Sequence, residues 1–272
     1  MEGSVKVEAA PEAQALAAKL GPDTLFGQTV ADRRTWLLML RTAAILSGHP
    51  KSMAVLVNDI DLLADPVERV RELQRWLEEL MISDPVAAGT ATHAMRERMA
   101  QRWGRWHGWD DEALTFAALS LGDGVIFAAR TLQGGSLFPA QETELYESVA
   151  AMVRLMGIDD GAIPADYRAF RQYMETQLSE VIDRRPIHEA LEARPPLPAP
   201  RRVPQVAWTA AQTSGRHVAG VVLGATLPDV TRERYGIRPS AAGRAEWALM
   251  SAAMGAFGYL PRRVRLVPAA RR

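Results

Sequence analysis

An all-α, single-domain fold is predicted by three observations. Apolar residues recur at three- and four-residue spacing along most of the 272-residue chain, period-two alternation is nearly absent, and breakers such as Gly48 with Pro50 and Asp84-Pro85 mark the ends of periodic stretches. No fixed-period repeat interrupts this pattern. A chain of this length buries about 70–75% of its unfolded surface, which is enough for a substantial core.

Thr35 to Leu46 (TWLLMLRTAAIL) is apolar on most faces and stops before Gly48 and Pro50, so it reads as an interior helix ended by its breakers. Asp65-Pro66 opens the next helix as an N-cap and first-turn proline, and Ser83-Asp84-Pro85 closes it. From Ala113 to Arg130 the sequence ALTFAALSLGDGVIFAAR is nearly all apolar or small. Asp123 makes its uncharged run too short for a membrane span, so a buried helix is predicted. Gly122 and Gly124 each cost a helix about 1 kcal/mol relative to alanine, which predicts a neighbour packed close against that point. Leu145, Val149, Met152 and Met156 mark an amphipathic helix, Pro164 to Ile182 gives another, and Arg244 to Phe257 is the last clear one. RPPLPAPRRVP (194–204) holds five prolines and reads as an extended connector. Residues 1–20 read as an N-terminal extension to a helical domain over 21–272, and the basic tail LPRRVRLVPAARR as a solvated end.

Composition removes several functions. With 32 basic and 32 acidic residues the chain has no excess charge to attract nucleic acid. The absence of cysteine excludes disulfides, thiolate zinc sites and iron–sulfur clusters. The N-terminal MEGSVKVEAAPEAQ carries acids and no apolar core, so no signal peptide is read there and a cytoplasmic location is expected.

Candidate chemistry concentrates in HAMRERMAQRWGRWHGW (93–109). On a helix, Met95, Met99 and Trp103 form one stripe and Arg98, Arg102 and Arg105 another. An apolar face on the core with a basic face in water explains this; so does a basic face lining a cleft for carboxylates or phosphates. His93, His107, His188 and His217 form no HxxxH or HExxH pair, so a multi-histidine metal site has no support. Asp110 and Asp111, which might suggest a magnesium–diphosphate site, are explained by a helix N-terminus, where negative charge is stabilised by about 0.3–1 kcal/mol. Neither GxSxG nor a phosphate-binding loop is present.

Several stretches in order carry a more specific signal. PDTLFGQTVADRRTWLLMLRTAAILSGHP (22–50), DLLADPVERVRELQRWLEELMISDP (61–85), the helix from Asp110, LYESVAAMVRLMGIDDGAIPADYRAFRQYM (145–174), ATLPDVTRERYGIRPSAAGRAEW (225–247) and LPRRVRLVP (260–268) together resemble the family of latex-clearing rubber oxygenases and fungal MpaB-type oxygenases.

That resemblance implies a helix bundle around a b-type haem and a hydrophobic substrate. The family's arginine falls on Arg69, but its lysine falls on Glu72, its threonine on Leu73, its proximal histidine on Met99 and a second histidine on Ala118. His49 of the His-Pro pair matches. Methionine is a known axial haem ligand, though its soft thioether suits electron-transfer haems better. On this basis haem would be held by Met99, His93, His107 or His49, with Arg69 pairing a propionate. Trp76, Trp103, Leu73 and Ala118 would line the substrate pocket. The alternatives are a haem-free cyclase or isomerase for a lipophilic, terpenoid-like metabolite, with Glu72 as general acid or base and tryptophans stabilising positive charge, and a non-catalytic binding protein. No sequence feature fixes an oligomeric state.

Overall fold

The computed structural model describes residues 11–52, 110–183 and 204–267, together with Arg75, Trp76, Glu78, Glu79, Thr90, Thr92, Ala94 and Glu97. Among these residues the chain is helical and contains no sheet; its single extended pairing is an isolated antiparallel bridge between Asp32 and Leu266. The all-α prediction holds.

The N-terminal helices are α1 (Pro11–Ala18), α2 (Leu25–Ala31), α3 (Arg33–Leu38) and α4 (Leu40–Gly48). Thr24 caps α2 by accepting from the Gly27 amide, and Asp32 caps α3 by accepting from the Arg34 amide. The helix predicted over Thr35–Leu46 is therefore two short ones meeting at Met39. The α1 segment belongs to the stretch expected to precede the domain, and the residues at its end, Ala17 and Leu20, are buried in the common core.

The central element is α5 (Asp111–Leu132), opened by Asp110, whose carboxylate accepts from the Ala113 amide at 3.0 Å. By length and composition α5 would cross a membrane, but 83% of its most apolar stretch is buried inside the protein, so it is a core helix as predicted. It packs against α2, α3, α4 and α6 (Pro139–Leu155). The predicted stripe of α6 is fully internal, with Leu145, Val149, Met152 and Met156 all buried. Next comes α7 (Tyr167–Thr176), capped by Asp166 and followed by a π-helical turn, Gln177–Val181.

The C-terminal part contains α8 (Gln205–Thr226), α9 (Asp229–Tyr235), α10 (Ala241–Phe257) and α11 (Arg262–Arg265). Pro204 stands at the start of α8; the rest of the proline-rich connector lies outside the described residues. Only the C-terminal turns of α8 reach the core, where Val221, Val222 and Gly224 are buried, and α10 buries no residue.

One expectation is corrected. The basic tail is not wholly solvated: Leu266 and Val267 are buried, the Val267 amide donates to the Ala31 carbonyl at 2.9 Å, and the Arg265 guanidinium lies 3.6 Å from Asp32. Asp32 is 4% exposed and is held mainly by Arg34, at 2.6 and 2.9 Å. The apolar pair Leu266-Val267 follows three arginines, and burial of that pair draws Arg265 to the acid beside it.

Candidate functional site

A line of side-chain contacts runs along one antiparallel seam between the α4 segment and α5. Rising numbers on the first meet falling numbers on the second: Arg41 meets Asp123, His49 meets Phe116, and Lys51 meets Asp110 and Glu112. Arg41, Ile45 and His49 recur at four-residue spacing, which puts them on one face.

The glycines flanking Asp123 allow this approach. A β-carbon on Gly124 would collide with the Thr42 hydroxyl of α4, and one on Gly122 with the Val149 side chain of α6. The close-packed neighbours that the sequence predicted are thus present on both sides.

At the centre of the seam the Arg41 guanidinium donates to Asp123 at 2.5 Å and to the Thr226 carbonyl at 3.1 Å, and its carbon lies 4.8 Å from the centre of the Phe127 ring. The pair ties α4, α5 and the end of α8 together and leaves little of Arg41 for a ligand. Sequence reading noticed Asp123 as an interruption but did not single out Arg41. The available signal was a lone charge inside each of two apolar runs, Arg41 within Thr35–Leu46 and Asp123 within the run from Ala113 to Ala129, since unpaired charges are almost never fully buried.

His49 ends α4 with its ring stacked on Phe116, centroids 4.3 Å apart and planes 21° from parallel. It is 2% exposed, and its Nδ1 is buried without a hydrogen-bond partner. Burial holds its pKa below the usual histidine value, against the opposing pull of Glu112, so the ring is neutral at neutral pH. Neutral imidazole is the protonation state that a metal ligand requires. Yet a nitrogen sealed by neighbouring atoms has no room for an iron about 2 Å away, still less for a porphyrin. No group of three or more metal-ligating side chains occurs among the described residues.

Of the predicted pocket residues, Trp76 and Ala118 belong to the same buried core, 3% and 2% exposed. The indole Nε1 of Trp76 is buried without a partner. Arg69, Glu72, Leu73, His93, Met99, Trp103 and His107 lie outside the described residues.

A second arrangement escaped the sequence reading. Helices α8, α9 and α10 enclose a groove of about 600 Å³ lined by Arg216, Arg238 and Arg244 beside Val221, Ile237 and Trp247. These residues are scattered over α8, α10 and the turn before α10, so no local motif announces them.

Residues 27–256 match the family described as "ER-bound oxygenase mpaB/B'/Rubber oxygenase, catalytic domain". No curated protein and no solved structure matches the chain.

Proposed function

Because this chain belongs to the catalytic-domain family of the ER-bound oxygenase mpaB/B' and rubber oxygenase, we propose that it is an oxygenase-type oxidoreductase acting on a lipophilic small molecule. The observation that carries this reading is the family match across 27–256. The fold is in keeping with it: an apolar central helix has small residues where other helices approach, and it brings Ala118 into one core with Trp76.

In this proposal Met99, where the resemblance places the histidine, would hold a haem, which would supply the oxygen chemistry when bound. Arg69 pairs an anionic group of the cofactor or substrate, and Trp76, Trp103, Leu73 and Ala118 form the apolar wall. The reading is tested by oxygen uptake with a panel of lipophilic olefins, where substrate-dependent consumption is expected. Its absence from a folded, haem-reconstituted protein would count against it.

A second reading is favoured by the sealed Nδ1 of His49 and by the closed packing around Ala118. Here the chain works without haem, and Glu72 transfers a proton to or from the same class of substrate. Glu72→Gln keeps the shape and removes the titratable group. Unchanged turnover in that variant would remove Glu72 from the mechanism.

A further inference from the structure

Among the described residues, the groove between α8, α9 and α10 gathers more positive than negative charge. Of the arginines lining it, Arg232 is already committed, to Asp229 and to the Leu227 carbonyl. The one acid in the lining, Glu246, lies 2.7 Å from the His217 ring and offsets one of the remaining positive charges. Among the described residues neither Arg216 nor Arg238 meets a carboxylate. Arg244 has no acidic partner either; it donates to the Pro239 carbonyl at 2.8 Å, which fixes the guanidinium beside the groove and leaves its other nitrogens available.

Three such guanidinium groups around one concavity concentrate a positive potential there, and their planar donor forks match the oxygens of carboxylates and phosphates. The rest of the wall is apolar, with Val221, Ile237 and Trp247 beside the arginines. The volume falls in the range of about 300–1,000 Å³ usual for small-molecule sites. A purely inorganic anion would leave the apolar wall wet, and a neutral lipid would leave the arginines unmatched.

We propose that this groove binds an amphipathic organic anion, with its phosphate or carboxylate head on Arg216, Arg238 and Arg244 and its apolar body along Val221, Ile237 and Trp247. The site is built from described residues alone and does not depend on the oxygenase reading. Arg216 and Arg238 are both exposed, so their replacement is not expected to disturb folding.

The test is calorimetric titration of the full chain with decyl phosphate, decanoate, decanol and inorganic phosphate, each organic ligand kept below its micelle threshold. At least one decyl anion is expected to bind, with decanol and inorganic phosphate each at least tenfold weaker; the tighter of the two anions identifies the head group. The double variant Arg216→Gln/Arg238→Gln, with an unchanged circular dichroism spectrum and melting temperature, is expected to lose at least tenfold in affinity. Decanol or inorganic phosphate binding as tightly as the decyl anions would overturn the proposal. So would unchanged affinity in the folded double variant, or no binding by any of the four.

Discussion

Arg41 and Asp123, 82 positions apart in sequence, meet at 2.5 Å with each side chain only 6% exposed. Two charges removed from water stabilise a fold only while both are present, because either alone is left uncompensated. Arg41→Met is therefore expected to destabilise the protein by about 3–5 kcal/mol. The double variant Arg41→Met/Asp123→Leu, apolar on both sides, should recover most of that loss. Urea unfolding of the two variants and the native chain checks this; a double variant as unstable as the single one would show that the seam needs the charges themselves.

Gly122 and Gly124 should resist the substitution that helix propensity favours. On an open helix, Gly→Ala gains about 1 kcal/mol. Here the added methyl meets Val149 or Thr42, and overpacking of this kind costs about 1–3 kcal/mol. Gly122→Ala and Gly124→Ala are both expected to lower the melting temperature. Val149→Ala should relieve the first and Thr42→Ala the second, which plain propensity effects would not do.

His49 makes stability depend on pH. Its folded pKa is depressed by burial, so below the ordinary histidine value near 6.5 the unfolded chain takes up a proton that the folded chain refuses. Its contribution is fully present above that value and is lost as pH falls from it toward the folded pKa. Urea midpoints at pH 7.5 and 5.5 should therefore drop further in the native chain than in His49→Leu, which has no imidazole to titrate. Equal drops in the two proteins would contradict the burial argument.

The mouth of the seam should behave differently from its centre. Lys51 lies against Asp110 and Glu112 at an exposed position, where ion pairs contribute about 0–1 kcal/mol and salt screens them. Asp110 also caps α5, and losing a cap costs about 0.5–2 kcal/mol. Chemical denaturation should rank Asp110→Ala as more damaging than Lys51→Ala, with Asp110→Asn close to native because an amide oxygen still caps the helix.

Where a segment buries one stripe, the sequence was readable. The spacing of Leu145, Val149, Met152 and Met156 predicts α6, and the GDG break in α5 predicts close neighbours, because both patterns are local consequences of packing. Helix α8 was missed for the converse reason. Its first turns bury nothing, and Gly215, Gly220 and Gly224 weaken its propensity, so no periodic signal arises. The pairing of Arg41 with Asp123 and the arginine groove depend on which helices become neighbours, and spacing along one helix does not encode that. Of the residues chosen for chemistry, the structure locates His49, Trp76 and Ala118, all in the core; the Met99 stripe lies outside the described residues.

The proposed oxygenase function, with Met99 in place of the family's histidine, is open to direct measurement. The most direct test is the absorption spectrum and iron content of protein purified from cells supplied with iron and a haem precursor. A Soret band with iron approaching one per chain is expected, lost in Met99→Ala and retained in His49→Gln. A folded, colourless, iron-free protein, or a band that His49→Gln abolishes and Met99→Ala leaves intact, would contradict it.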